Sequence, residues 1–188
     1  MPYFAIQVKS KTEQKLIAHA RGRRESVGER LYFLRRSLRI KRGGQWREET
    51  APIFTGYVFL KADEADPETS LFLRSLPGFI RFLPANDRIS ALGARDEAMV
   101  RHFLSFGEVL KKSVVEFDEN KRIRVVSGPL KGLDGRIVKV GRRKKRARVK
   151  LELYQETFEI DFGFEALEPA PVSPSHPAAE PSLTDAKG

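Results

Sequence analysis

The sequence contains no cysteine, which excludes disulfides, thiolate metal sites and a cysteine nucleophile together. Histidine is scarce: the three, at positions 19, 102 and 176, include no pair at a metal-ligand spacing. No G-x-S-x-G elbow, P-loop or dinucleotide fingerprint occurs. The basic glycine pair Gly43-Gly44 has no helix start behind it, so it makes no phosphate cradle. These absences predict a protein that is not an enzyme and needs neither cofactor nor metal. No window approaches 18 uninterrupted apolar residues, and Met1 to Gln7 has no basic segment running into an apolar one. The expectation is a cytoplasmic chain with no membrane partner.

Positive charge is what the sequence has in excess. Lys and Arg number 35 against 25 Asp and Glu, for a net charge of +10 over 188 residues. A surplus of this size points to a polyanionic partner, most simply nucleic acid. The hydrophobic fraction of 40% still allows a packed core.

Along the chain, Tyr3 to Val8 reads as a strand rich in aromatic and branched residues. Ser10 and Glu13 have capping-box spacing, and Leu16, Ile17 and Ala20 follow at helical intervals, predicting a helix over 11–24. Residues 31–40 and 46–50 form a predicted strand pair around the Gly43-Gly44 turn. Gly56 to Lys61 reads as a buried strand. Asp66-Pro67 starts a second helix reaching about Arg74, because Asp suits the N-cap and Pro the first helical position. A strand over 79–83 and a helix over 93–106 complete the first half, with Met99, Val100, Phe103 and Leu104 on one helix face. This order predicts an α+β fold, an α/β sandwich of helices on an antiparallel sheet, over residues 1–107. Residues 108–118 read as a linker. Residues 119–168 carry short alternating apolar runs, at Val149, Leu151 and Leu153 and again at Phe158, Ile160 and Phe162, which predict a small β-barrel. Residues 169–188 hold five prolines and few large apolar side chains, so a disordered tail is expected there.

The run Arg124 to Ile137, RVVSGPLKGLDGRI, places a Gly128-Pro129 turn between apolar flanks, with Gly132 and Gly135 expected to supply positive φ. It resembles the KOW motif of NusG-type transcription factors and several ribosomal proteins. In the first half, Pro52 to Phe59 (PIFTGYVF) resembles the F-P-G-Y-V signature of the NusG N-terminal (NGN) domain, with Thr55 where relatives have Pro. Tyr3 to Val8 resembles the opening strand of that domain, and Pro77 to Phe82 a later one. The resemblance spans residues 2–168. It implies an NGN domain joined to a five-stranded KOW barrel in a monomer that suppresses pausing and termination by bacterial RNA polymerase.

The same resemblance implies that Phe54, Tyr57, Phe59 and Phe82, with Tyr3, form a patch for the polymerase clamp helices. It places Thr69 and Ser70 near the gate-loop contact. Aromatic residues in strands are more often core, and Tyr3 and Phe59 read that way on their own. Phe54 and Tyr57, flanking a turn at a strand start, read as exposed anchors. The later barrel hairpin, Leu153 to Thr157, lacks the I-F-G-R loop that docks Rho or a small-subunit ribosomal protein in general NusG, leaving Tyr154 as the substitute contact. That departure resembles the specialised paralogues of the RfaH or LoaP type. Two basic runs stand apart. The first comprises Arg21, Arg23, Arg24, Arg35, Arg36, Arg39, Lys41 and Arg42, with Trp46, the only tryptophan, beyond them. Cations for phosphates beside an aromatic for an unpaired base suit non-template DNA or nascent RNA. The second is Arg142 to Arg146, a hairpin tip that is either a solvated charge cluster or a further nucleic-acid contact. A KOW-containing RNA-binding protein of the ribosome is the competing expectation.

Overall fold

The computed structural model describes residues 1–167; the expected tail, 169–188, lies outside them. The chain begins with β1 (Tyr3–Val8), α1 (Glu13–Arg23), α2 (Glu25–Gly28), β2 (Leu31–Tyr32), β3 (Arg35–Arg42) and β4 (Gln45–Pro52). It continues with β5 (Tyr57–Lys61), α3 (Pro67–Arg74), β6 (Phe79–Phe82), the small hairpin β7 (Pro84–Ala85) and β8 (Arg88–Ile89), and α4 (Ala94–Leu104). Then follow β9 (Val109–Leu110), β10 (Ser113–Phe117), β11 (Ile123–Ser127), a 3-10 turn (Asp134–Arg136), β12 (Ile137–Gly141), β13 (Arg146–Leu153) and β14 (Glu156–Ala166).

The first sheet has the order β2-β5-β1-β6, with β1 antiparallel to both neighbours. Its two central strands read as almost continuous apolar runs because both faces are covered. Phe4, Ile6 and Val8 of β1 and Val58 and Leu60 of β5 pack against Leu16, Ile17 and Ala20 of α1 and Leu73 of α3. Tyr3, Ala5, Tyr57 and Phe59 point to the opposite face, toward Val100 and Phe103 of α4. Side-chain direction alternates along a strand, so one run supplies both cores.

Two local expectations are revised. Ser10 and Glu13 form no capping box: Thr12 is the N-cap and makes no side-chain cap bond. The Glu13 carboxylate, only 2% exposed, instead accepts the Gly56 amide at 2.8 Å. Residues 108–118, expected as linker, contain β9, which runs parallel to β3, and β10, which enters the second sheet. Their short apolar pairs are too brief to show periodicity but find partners across the fold. Asp66 does cap α3, accepting the Thr69 amide at 2.7 Å.

The second sheet has five strands, β11-β10-β14-β13-β12, curled as a KOW barrel. Ala147, Val149, Leu151 and Leu153 of β13 share its apolar face with Phe158, Ile160, Phe162 and Phe164 of β14, in register Leu151 opposite Phe158 and Val149 opposite Ile160. Gly128 has φ +94°, and a Cβ there would meet the Ser113 Cα at 2.8 Å, so the motif's first glycine is needed for both reasons. Gly132 also has positive φ. Gly135 does not; it lies inside the 3-10 turn, where ordinary backbone angles suffice. The second sheet does not stand off from the first: both contribute to one continuous apolar cluster.

Candidate functional site

The turn that carries Phe54 and Tyr57 is built by Gly56. Its φ of +81° brings its carbonyl onto the Val8 amide at 2.8 Å, while Glu13 takes its own amide. Phe54 and Tyr57 then leave the sheet on one side, and Tyr57 donates its amide to the Phe54 carbonyl at 3.3 Å. Both side chains, read from the sequence as exposed, are buried at 1% and 8% exposure. Part of what covers them is the barrel. Phe158 meets Phe54 edge-on at 5.3 Å and Tyr57 at 6.1 Å between ring centroids. The Tyr57 hydroxyl donates to Glu156 at 3.1 Å. Burial first, and Glu156 second, raise the Tyr57 pKa above its ordinary value.

The contact continues along α4. Phe103 stacks on Phe162 at 5.7 Å, and His102 Nε2 lies 2.8 Å from the Pro129 carbonyl of the KOW turn, which requires the proton on that nitrogen. Arg95 pairs with Glu152 at 2.8 Å. Asp96 accepts the Tyr154 amide at 3.0 Å. Tyr154 and Gln155 both have positive φ and form the two-residue turn between β13 and β14. Tyr154, expected to face a separate partner, is therefore turned toward the first domain. Its buried hydroxyl has no hydrogen-bond partner among the described residues, and burial pushes its pKa up to about 12. A groove of about 560 Å³ runs beside it, lined by Asp96, Glu152 and Thr157 among others.

The remaining expected patch residues divide. Tyr3, Phe59 and Phe82 are core residues, at 5%, 0% and 0% exposure. Phe59 meets Phe54 at 6.2 Å and backs the site from beneath, whereas Phe82 belongs to the opposite core. Thr69 and Ser70 are buried in the first turn of α3, where the Ser70 hydroxyl bonds the Ala65 carbonyl, so neither is offered to a partner. Phe158 and Asp96, which sequence reasoning did not single out, complete the interface; only their positions opposite Phe54 and Tyr154 mark them.

The basic residues form two groups. Arg21, Arg23 and Arg24 end α1; Arg24 pairs with Glu68 and lies over the Phe72 ring at 5.3 Å. The β3–β4 ribbon, turned by Gly43 and Gly44 with positive φ, carries Arg39, Lys41 and Trp46 on one face, with Lys41 directly opposite Trp46. Arg39 lies over the Trp46 ring at 5.1 Å, and Trp46 remains 39% exposed. Among the described residues, no metal-holding cluster of three or more His, Asp or Glu occurs and no helix is long and apolar enough to cross a membrane.

An α/β sandwich covered on one face by a curled KOW sheet joins an NGN-like fold to a KOW fold, and the sequence comparisons give its family. The family model "Transcription termination factor nusG" matches residues 1–101, and the chain belongs to the NusG family. The transcription termination/antitermination protein NusG of Thermus thermophilus is 29% identical over 136 residues, covering 66% of this chain and 72% of that one. NusG of Borreliella burgdorferi is 22% identical over 134 residues, covering 68% and 73%. A solved structure described as the domain interaction in Thermotoga maritima NusG superposes with a TM-score of 0.53 at 18% identity, covering 86% of this chain and 93% of that one. That likeness extends the shared fold across both domains.

Proposed function

We propose that the chain binds bacterial RNA polymerase through the face centred on Phe54 and Tyr57 and suppresses pausing and termination, with the KOW barrel held over that face until polymerase displaces it. The observation that carries this reading is the burial of Phe54 and Tyr57 under Phe158. Two aromatic rings at a turn, backed by Phe59, have the form of an interface anchor. The barrel occupies the place that a polymerase clamp helix would take. Aromatic pairs of this kind contribute only about 0.5–1.5 kcal/mol each beyond the area they bury, so a partner offering a comparable apolar surface can replace them. The effect on polymerase is a shift of its conformational population, without chemistry, cofactor or metal, and it places the protein in the cytoplasm. Phe82, Thr69 and Ser70 have no part in the contact.

Tyr154 reaches a KOW partner, such as Rho or a ribosomal protein, only after the same displacement. The exposed β3–β4 ribbon meets nucleic acid near the polymerase, non-template DNA or nascent RNA, through Arg39, Lys41 and Trp46. Departures at Thr55 and in the Leu153–Thr157 turn favour a factor acting on selected operons.

Single-round transcription through a terminator tests the reading. The full chain raises read-through; Tyr57→Ala weakens the effect; Phe158→Glu, which uncovers the face, strengthens it at limiting concentrations. Failure of matched polymerase to bind either the full chain or the Phe158→Glu chain overturns it.

A further inference from the structure

The second basic run is not an isolated tip. β12 and β13 place Lys139 opposite Arg148, and β13 and β14 place Arg148 opposite Asp161, in a row across the polar face of the second sheet. Together with Lys144 and Arg146 these side chains line a cavity of about 120 Å³. Its one carboxylate is already engaged: Asp161 accepts from Arg148 at 2.7 Å, and this bond holds the Asp161 pKa below its ordinary value. Lys139, Lys144 and Arg146 have no carboxylate partner among the described residues.

The strand β3 of the first domain crosses at the edge of this cavity. Arg146 donates to the Arg39 carbonyl at 2.6 Å, and Arg36 donates to the Asp161 carbonyl at 2.5 Å. Gly163 permits the approach, since a Cβ there would stand 3.2 Å from the Ser37 carbonyl. Burial lowers the Arg36 pKa to about 10, with nearby Arg146 acting in the same direction and Asp161 opposing. One guanidinium nitrogen on each of Arg36 and Arg146 is buried without a partner among the described residues. Concentrating like charge is costly, and an anion at this junction relieves that cost. Nearby acids on the ribbon are neutralised in place: Glu48 pairs with Lys112, and Glu49 with Arg42 at 3.0 Å.

We propose that the β3–β4 ribbon and the β12–β13 hairpin form one phosphate-binding track for single-stranded nucleic acid, continuous across both domains, with Arg146 at the junction, and complete only while the barrel is docked. The inference rests on the nucleic-acid role given above to the ribbon and extends it. Trp46, exposed with Arg39 over its ring, supplies a platform for an unpaired base at the ribbon end, and the cavity lined by Lys139 and Lys144 supplies a phosphate seat at the other. A docked chain therefore holds nucleic acid while its polymerase face is covered, and opening the domains divides the track.

The test is fluorescence anisotropy of the full chain with labelled 20-nucleotide single-stranded RNA and DNA of one sequence, and with the DNA duplex, followed over a salt series. Quenching of Trp46, the only tryptophan, gives a second signal. The Lys139→Ala/Lys144→Ala chain is expected to bind both single strands about tenfold more weakly, with a salt slope shallower by roughly 1.4, at about 0.7 per lost phosphate contact. Phe158→Glu and, independently, Gly163→Val are expected to weaken binding similarly while keeping every cation. Circular dichroism confirms that each variant keeps the parent's secondary structure, and the two act at opposite ends of the interface. If the lysine pair or both docking variants bind like the parent, while Arg39→Ala/Trp46→Ala does not, the composite track is wrong and the ribbon alone binds. If the parent chain binds no oligonucleotide, the nucleic-acid reading of the ribbon falls with it. Tighter binding of duplex than of either single strand, unaffected by Trp46→Ala, overturns the single-stranded assignment.

Discussion

Glu13 shows how much one residue can set. Its carboxylate is buried against the Gly56 amide, and Gly56 in turn fixes the direction in which Phe54 and Tyr57 leave the sheet. Replacing it with alanine leaves a buried amide unpaired, a loss of about 1–3 kcal/mol. Glu13→Ala should lower the melting temperature by several degrees and weaken polymerase binding, whereas Glu13→Gln, which keeps an acceptor oxygen, should lose much less. An alanine variant that melts like the parent would show that the Gly56 turn holds itself. The sequence placed Glu13 in a helix start, which is correct, but assigned it to Ser10, three residues away. Its actual partner is 43 residues away. Local pattern cannot find such a bond, and the same blindness applies to Phe158, whose alternation marks it as strand interior without saying that Phe54 lies above it. Tyr3 and Phe59, by contrast, read as core because they are aromatic residues in strands, and they are buried.

Among elements, those with chemistry at their ends were the most legible. Asp66-Pro67 announced α3, and the cap is formed. The Thr69 amide, as the leading cause, holds the Asp66 pKa below its ordinary value. A depressed folded-state pKa means that the cap's stabilisation is complete above the unfolded-state value and is lost as pH falls through the lowered one. Asp66→Ala should therefore cost about 1 kcal/mol near neutral pH. The difference from the parent should vanish in strongly acidic solution, and urea titrations at two pH values would measure it. A constant difference across the acid range would assign the loss to something other than the carboxylate. The β10 strand was the least legible element. Ser113 to Phe117 holds only two strong β-formers before a charge, and its place in the sheet comes from pairing with β11 on one side and the distant β14 on the other. The 3-10 turn around Gly135 was obscured for a related reason: a glycine signals freedom, and this one does not use it.

At the scale of the whole molecule, the docked interface combines good packing with flaws. Phe103 stacks on Phe162 and Phe54 meets Phe158, yet the Tyr154 hydroxyl and guanidinium nitrogens of Arg36 and Arg146 find no partner among the described residues. Each such group subtracts from the gain of burial, and the proposed displacement by polymerase requires an interface weakened in this way. Because the apparent affinity of a covered face is the intrinsic one reduced by the fraction of open molecules, any device that changes that fraction changes polymerase binding in proportion. The chain has no native cysteine, so a cross-link can be introduced at one chosen place. Asp96 and Tyr154 already touch across the interface. Asp96→Cys/Tyr154→Cys, joined by a short bifunctional maleimide, should lose polymerase binding by at least about tenfold while keeping its affinity for single-stranded oligonucleotide. The same chain blocked with a monofunctional maleimide should recover the first and weaken in the second, because both substitutions have removed a docking contact. Opposite movement of the two affinities in one chain is the outcome that a general loss of structure cannot imitate. If the cross-linked chain still binds polymerase as the blocked one does, the covered face is not where polymerase binds, and Phe54 and Tyr57 are core residues of a permanently joined pair of domains.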